Sequence, residues 1–375
     1  MNRTERFRCR VLAVTLPLIF AVPSYSWADE LATLVQRIKA VQAEGAGNVT
    51  ASRASRELAK LGPEAIVPLL EAMDDADPVA ANWLRAAVDA IAERTVAEHK
   101  KLPAALLEKF VLDQRHAGKV RRLAFDWLAK VDATAPDRLI PGMINDPGLE
   151  LRRDAVARAI AEAQALLDAE DKSAARTAFQ KVFKAARDSD QVTDIAKKLE
   201  AIDAKPDLTK HFGCIQKWHL IAPFDNSDKS GFDRVYPPEK QIDLNAEFEG
   251  KSDAVQWTEH TSADQFGVVD LNKVIGKHMG AVAYGLTNVE SAKERPVRIH
   301  AGSTNAIKVW LNGKLIYTRD EYHHGMSMDQ YQATGTLKAG RNTILIKVCQ
   351  NEQTEEWAQN WTFQLRVCDL TGGGL

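Results

Sequence analysis

One pattern of residues recurs three times in the first half of the chain, and each copy has the spacing of a helix. The copies are residues 85–91, 122–128 and 153–159, with the sequences RAAVDAI, RLAFDWL and RDAVARA. Apolar residues follow helical periodicity in the first two, as in Leu84, Ala87, Val88 and Ile91, and again in Ala124, Trp127, Leu128 and Val131. A unit this short cannot bury its apolar face alone, so the repeat predicts stacked helices.

Between these copies the sequence predicts helices that begin at proline. The segment 62–70, GPEAIVPLL, is matched by 135–143, APDRLIPGM. Proline is tolerated in the first turn of a helix, because its missing N–H would have no partner there. Alternating helix pairs of this length predict an α-solenoid for residues 29–205.

The composition changes near residue 205. Residues 29–205 contain no Tyr, whereas 15 of the 21 glycines follow residue 205. Short β-branched and aromatic runs then alternate with turn residues, and Asn312-Gly313 between two such runs is a strong hairpin signal. The polar, Pro-containing stretch at 206–211 is the predicted linker, and residues 212–375 are predicted to form an all-β sandwich or jelly roll. The expected fold class is therefore a multidomain α plus β protein.

Two family resemblances follow from these residues. Segment 56–66, RELAKLGPEAI, where one helix ends at Gly62 and the next begins at Pro63, resembles HEAT repeats. That resemblance implies either a binding face for macromolecules or a structural spacer. Segments 218–224, 231–239, 309–314 and 337–347 resemble galactose-binding-like jelly rolls. This second resemblance implies carbohydrate-binding modules and domains that accompany glycosidases.

The N-terminus predicts export. Four arginines precede the largely apolar run 11–22, and Ser26-Trp27-Ala28 has the small residues of a cleavage site, so residues 1–28 are a predicted signal peptide. No later stretch is apolar for long enough to span a membrane. We therefore expect a periplasmic or secreted protein without a transmembrane segment after cleavage.

Charge argues against nucleic acid as a partner. Residues 29–205 carry 27 basic and 29 acidic side chains, and residues 206–375 carry 18 and 21. Neither half has the positive excess of a nucleic-acid-binding protein. Known catalytic motifs such as G-x-S-x-G and H-E-x-x-H are absent from the sequence. The favoured function is thus a non-catalytic adaptor for a glycan or protein partner, and the alternative is an accessory subunit or hydrolytic enzyme acting on polysaccharide.

Candidate ligand-binding residues are aromatic, because sugars stack their C–H faces on Trp and Tyr. Around the predicted hairpin, Trp310 faces Leu315 and Val309 faces Ile316, which puts Trp310 and Tyr317 on one face as core or as ligand contacts. Trp357 and Trp361 lie in or beside the polar loop 351–360, where we expect exposure.

Metal and disulfide candidates are weaker. His323 and His324 are adjacent, so their rings should point apart rather than share an ion. No cofactor is expected, although jelly rolls of this type often carry a structural calcium ion, and Asp225, Asp228 and Asp233 form an oxygen-rich loop. Because terminal strands of jelly rolls often run side by side, the resemblance implies a Cys214–Cys368 disulfide with Cys349 free.

Overall fold

The computed structural model describes residues 27–41 and 45–375. The predicted signal peptide therefore lies outside the described residues, except for Trp27 and Ala28, which belong to the first helix. The chain forms two compact units, with the division between Phe110 and Val111. No helix in the described part of the chain is long and apolar enough to cross a membrane.

The first unit is helical. Its elements are α1 (Trp27–Lys39), α2 (Asn48–Leu58), a 3-10 turn (Pro63–Ala65), α3 (Ile66–Met73), α4 (Pro78–Ala97) and most of α5 (Ala104–Leu112). Asp77 caps α4 by accepting hydrogen bonds from the backbone of Val79 and Ala80. The predicted apolar stripe of α4 is confirmed, since Leu84, Ala87, Val88 and Ile91 are all fully buried.

The second unit begins with helices. They are α6 (Gly118–Val131), α7 (Ala135–Leu139), a 3-10 turn (Ile140–Met143), α8 (Leu149–Asp168), α9 (Lys172–Ala185), α10 (Ser189–Glu200) and α11 (Leu208–Phe212). Trp127 and Leu128 of α6 are buried as predicted, but Val131 is 41% exposed because it is the last residue of the helix. Helix α11 occupies most of the segment 206–211, the first strand begins at Lys217, and the domain boundary and linker proposed there stay a prediction.

Ion pairs connect alternate helices of this unit. Arg122 of α6 pairs with Asp154 of α8 at 2.5 Å, and Arg153 of α8 pairs with Asp190 of α10 at 2.5 Å. The α6 and α8 N-termini also meet closely, because a Cβ at Gly148 would lie 2.9 Å from the Gly118 Cα. The same kind of contact therefore recurs from one helix pair to the next.

Gly148→Ala should destabilise the helical layer. The added methyl group would collide with the backbone of Gly118, and overpacking of this kind costs about 1–3 kcal/mol. Gly142→Ala is the matched control, since a Cβ there meets nothing within 4 Å. Urea unfolding of the two variants tests the close approach, and equal midpoints would contradict it.

The strands form two antiparallel sheets. Their strands are β1 (Lys217–Asp225), β4 (Thr258–Thr261), β5 (Val269–Asp270), β6 (Ala281–Ser291), β7 (Arg295–Ser303), β8 (Ala306–Leu311), β9 (Lys314–Arg319), β10 (Tyr331–Leu337), β11 (Gly340–Gln350) and β12 (Thr362–Cys368). The six-stranded sheet has the order β4-β1-β6-β11-β8-β9, and the four-stranded sheet has the order β10-β7-β12-β5. Two short strands, β2 (Glu247–Glu249) and β3 (Ala254–Gln256), form a separate pair.

The two sheets share one apolar core. Trp218 of β1 and Ile346 of β11 come from the larger sheet, and Ile299 of β7 and Phe363 of β12 come from the smaller one. The rings of Trp218 and Phe363 meet edge to face at 5.1 Å. Short helices α12 (Pro237–Lys240) and α13 (Leu271–Val274) lie between strands. Helices followed by antiparallel sheets confirm the predicted α plus β fold class.

The outer face of the six-stranded sheet is also covered. A second buried cluster covers this face. The strands contribute Phe224, Tyr284 and Cys349 to it, and the segment between β1 and β4 contributes Phe232, Tyr236 and Val255. Under this cover lies Lys347 of β11, which is fully buried.

A third cluster joins helices to strands. Phe179 of α9 and Ile195 of α10 are buried in it together with Phe212 and Cys214, and Phe266 and Met328 of the β region pack against it. Arg366 of β12 donates a hydrogen bond to the carbonyl oxygen of Phe212 at 3.1 Å.

Candidate functional site

The predicted hairpin is present, but its register differs from the prediction. Asn312 and Gly313 have φ values of 51° and 79°, as a two-residue turn requires. Trp310 pairs with Leu315 as predicted, whereas Val309 pairs with Tyr317 instead of Ile316, because a β-bulge shifts the register between Val309 and Trp310. The bulge therefore puts the side chains of Tyr317 and Trp310 on opposite faces of the sheet.

The two aromatic residues of the hairpin are therefore separated. Trp310 is half-buried and packs against the outer cluster of the six-stranded sheet. Tyr317 packs against the core between the sheets and stacks on Tyr331 with ring centroids 5.1 Å apart. They do not form one aromatic platform.

Trp361 is buried, contrary to the prediction of exposure. Its exposed fraction is 0%, and its indole Nε1 donates to the carbonyl oxygen of Val348 at 3.4 Å. The reason is that Trp361 directly precedes β12, where its ring enters the core between the sheets. It cannot contact a ligand without unfolding.

Trp357 is the exposed aromatic residue of the same loop. It lies in the 3-10 turn Glu356–Ala358, and 62% of its surface is exposed. Its ring meets the His323 ring edge to face, with centroids 5.6 Å apart and an interplanar angle of 82°. The indole thus has one aromatic neighbour and is open to solvent over much of its surface.

Hydrogen bonds fix the orientation of His323. The backbone N–H of Gln353 donates to Asn351 Oδ1 at 3.0 Å, which identifies that atom as the oxygen of the amide. His323 Nε2 lies 2.6 Å from the same oxygen and must therefore donate to it. In the neutral ring this leaves Nδ1 with a free lone pair, and that atom is buried without a partner among the described residues.

Asn226 extends the polar network. Its Nδ2 donates to the Gln350 carbonyl at 2.8 Å and to the Tyr322 hydroxyl at 3.3 Å, while Oδ1 is buried and unpartnered within the described ranges. Burial raises the pKa of Tyr322, so its hydroxyl stays protonated at neutral pH. We call Asn226, Tyr322, His323, Asn351 and Trp357 the loop-end site.

The ammonium group of Lys251 lies beside Asp225, the first residue of the oxygen-rich loop that the sequence suggests for calcium. Lys251 Nζ donates to the carbonyl oxygens of Met279 and Gly280 at 2.8 and 2.6 Å, and lies 3.8 Å from Asp225. Asp233 instead pairs with Lys308. In the described part of the chain, no group of three or more His, Cys, Asp or Glu side chains could hold a metal ion.

The two adjacent histidines point apart, as the sequence predicts. The His323 ring meets Asn351, whereas His324 Nδ1 and Nε2 lie 2.9 and 3.1 Å from Gln330 Nε2 and the Tyr331 hydroxyl.

The predicted Cys214–Cys368 disulfide is not formed. Cys214, Cys349 and Cys368 are buried free thiols, and burial raises the pKa of Cys214 and Cys349 to about 12 and that of Cys368 to about 11. The backbone of Cys214 forms an isolated antiparallel bridge with Arg366, which precedes Cys368 by two residues. Diagonal neighbours of this kind are about 7–8 Å apart, beyond the usual Cα separation of a disulfide.

A groove of about 600 Å³ lies elsewhere, between α10 and the four-stranded sheet. Phe266, Met326 and Met328 line one side of it, and Asp194 and Lys197 of α10 line the other. It contains none of the predicted aromatic ligand residues.

Comparisons with known proteins give no family. No family model matches the chain, and no curated protein matches it. Partial structural similarity is found to a β-glucosidase from Kluyveromyces marxianus, with 12% identity over 24% of this chain and 11% of the enzyme, at a TM-score of 0.19.

Two β-glucuronidases are similar to comparable extents. The enzyme from Faecalibacterium prausnitzii is 20% identical over 36% of this chain and 21% of its own, at a TM-score of 0.23. The enzyme from an uncultured Clostridium sp. is 13% identical over 42% of this chain and 28% of its own, at a TM-score of 0.25. The chain thus spans less than a third of the length of each enzyme, and similarity at this level carries no argument about function.

Proposed function

We propose that the protein is an exported, non-catalytic binding protein whose loop-end site recognises a carbohydrate. The observation that carries this proposal is the exposed Trp357 ring beside a hydrogen-bonded group of Asn, Tyr and His side chains. A sugar presents an apolar C–H face and a rim of hydroxyl groups, so it requires these two kinds of contact together.

The electrostatics of the site suit a neutral ligand. Tyr322 is protonated, and Asn226 and Asn351 carry no charge, so hydroxyl groups are matched better than an ionic group. Lys229 Nζ lies 5.0 Å above the Tyr322 ring and adds one cation at the margin. The ring of Trp357 remains available because more than half of its surface is exposed.

The two halves would have different roles in this proposal. The recurring Arg–Asp pairs between alternate helices support a HEAT-like solenoid, which would present a face to a protein partner. The paired antiparallel sheets support a galactose-binding-like jelly roll as the carbohydrate-binding part. The N-terminal signal pattern supports a periplasmic or secreted location.

Trp357→Ala should weaken carbohydrate binding while leaving the fold intact. A glycan array with the full-length exported chain first identifies a ligand, and titration calorimetry then compares the affinities. We expect binding about tenfold weaker, because loss of one stacking ring costs ~1.4 kcal/mol.

The matched control is Leu315→Ala, which truncates an exposed apolar residue on β9. It should keep wild-type affinity. Unchanged affinity in Trp357→Ala would contradict the stacking role, and absence of any bound glycan would contradict the proposal itself. Release of sugar fragments during the assay would favour the hydrolytic alternative.

A further inference from the structure

The side chain of Lys251 connects three separate segments of the β region. Lys251 lies in the turn between β2 and β3, where its backbone N–H donates to the carbonyl oxygen of Pro223 in β1 at 2.8 Å. Its Nζ donates to the carbonyl oxygens of Met279 and Gly280 at 2.8 and 2.6 Å, directly before β6. Only 27% of the side chain is exposed. One residue thus joins β1, the β2–β3 turn and the start of β6.

The oxygen atoms around this ammonium group are of the kind that surround a metal ion. Two are backbone carbonyl oxygens, and Asp225 Oδ1 lies 3.8 Å from Nζ. Glu352 lies on the same side, because a Cβ at Gly280 would be 2.9 Å from Lys251 Nζ and 3.4 Å from the carboxyl carbon of Glu352. Calcium is held by carbonyl and carboxylate oxygens that converge in this way. Here the chain itself supplies the positive charge.

The calcium loop that the sequence suggests does not fit this arrangement. Asp225 lies beside Lys251, whereas Asp233 pairs with Lys308 at 3.1 Å. A calcium ion among the same oxygen atoms would lie against the ammonium group, and the repulsion between the two charges opposes its binding. The donor set therefore fits a lysine side chain and does not fit a metal ion.

Gly280 connects the ammonium group to the loop-end site. Its carbonyl oxygen, which accepts from Lys251, also accepts from the backbone N–H of Asn226 at 2.8 Å. The N–H of Gly280 donates to the carbonyl oxygen of Asn351 at 2.7 Å. The backbones of both asparagines are therefore hydrogen-bonded to the residue that Lys251 holds.

We propose that the ammonium group of Lys251 is a built-in cation that positions Asn226 and Asn351 for ligand binding, so that the loop-end site needs no calcium ion. The binding of a ligand there rests on the proposed function, whereas the positioning is a property of the chain alone. Without the ammonium group, two carbonyl oxygens lose a charged donor, and the polar rim of the site loses the contact that fixes Gly280.

The test measures hydrogen exchange at the backbone amides of Asn226 and Gly280 in the full chain without ligand. In Lys251→Ala both amides should exchange about tenfold faster than in the wild type, because hydrogen bonds from a charged group are lost. Lys277→Ala is the matched control, since it removes the same charge from an exposed lysine close to Gly280 and should exchange at the wild-type rate. Equal rates in Lys251→Ala and the wild type would overturn the proposal.

Chemical rescue separates the role of the charge from that of packing. The n-propylammonium ion contains the atoms that Lys251→Ala deletes, so it should restore slow exchange at both amides. The uncharged 1-propanol should not restore it, and sodium chloride at equal ionic strength controls for screening. Absence of rescue, or equal rescue by the two compounds, would contradict a role for the cation.

Calcium provides a measurement that does not depend on how the variant folds. Exchange at Asn226 in the wild type should be the same in calcium chloride and in EDTA at equal ionic strength. A saturable effect of calcium on that amide would overturn the proposal whether or not Lys251→Ala folds.

Ligand binding distinguishes this proposal from the proposed function. A glycan that binds the wild type should bind Lys251→Ala about tenfold more weakly, and n-propylammonium should restore the affinity. Unchanged affinity in a variant with faster exchange would show that Lys251 does not position the site for its ligand. If no glycan binds the wild type, the proposed function fails, and the exchange rates still decide whether Lys251 holds Asn226 and Gly280.

Discussion

Lys347→Met is expected to destabilise the second unit by about 3–5 kcal/mol, because it removes one partner of a buried ion pair. Lys347 Nζ donates to the carbonyl oxygens of Phe232 and Arg234 at 3.0 and 2.8 Å and to Glu239 Oε1 at 2.8 Å. Glu239 also accepts a hydrogen bond from the Tyr284 hydroxyl. Without the ammonium group, the two carbonyl oxygens would lose this donor, and the carboxylate would lose its cation and keep only the Tyr284 hydroxyl. Urea unfolding measures the loss.

Two further variants make this result specific. Lys338→Met changes an exposed lysine and should leave the unfolding midpoint unchanged. The double variant Lys347→Met with Glu239→Gln removes both charges, so it should be more stable than the sum of the single changes predicts. Strict additivity would show that Lys347 and Glu239 do not interact in solution.

Stability should also fall in mild acid, because buried His300 and half-buried His211 of the second unit must be neutral in the folded state. Burial is the main cause that lowers the pKa of each from 6.5 to about 4, and nearby arginine charges, Arg366 for His300 and Arg187 for His211, contribute to the same shift. Asp329, with Oδ1 3.4 Å from His300 Nδ1, acts in the opposite direction but does not outweigh burial.

The sign follows from proton binding. Between pH 6.5 and 4 the unfolded chain binds protons at these histidines and the folded chain does not, so the free energy of unfolding decreases as the pH falls. The contribution is complete above pH 6.5 and is lost at ~1.4 kcal/mol per pH unit for each group, about 3 kcal/mol for His300 by pH 4. Urea unfolding across this range should show that slope.

His300→Leu separates this effect from the titration of carboxylates. The variant replaces the imidazole with an apolar side chain of similar size. Its free energy of unfolding should therefore change less steeply with pH between 6.5 and 4 than that of the wild type. Asp190 provides an internal reference, because Arg153 lowers its pKa to about 2 and its contribution is lost only in stronger acid. Equal slopes in both proteins would contradict a neutral buried His300.

Periodicity predicted the helices well, since it reports directly on burial of one face. The predicted strands around Asn312-Gly313 and at the end of the chain are also present. β6 could not be recognised in the same way. It lies between β1 and β11 and is buried on both faces from Ala281 to Thr287, so its sequence lacks the alternation that marks a strand.

The candidate site was predicted only in part, because its residues come from distant segments. Trp357 was identified from its polar surroundings, but the same argument failed for Trp361, whose burial depends on where β12 begins. Asn226, Tyr322 and His323 meet only after β1, β9 and β11 have assembled. The bulge that relocates Tyr317 depends on sheet packing and has no local sequence signal.

The apolar cluster that joins α9 and α10 to the strands restricts how the two kinds of structure can be separated by recombination. Phe212 contacts Phe266 with ring centroids 6.0 Å apart, and both belong with Phe179 and Ile195. A chimera that joins these sheets to an unrelated helical array would leave that apolar surface uncovered. Recombination at the change from helix to strand is therefore expected to fail more often than an exchange that keeps α9, α10 and the sheets together.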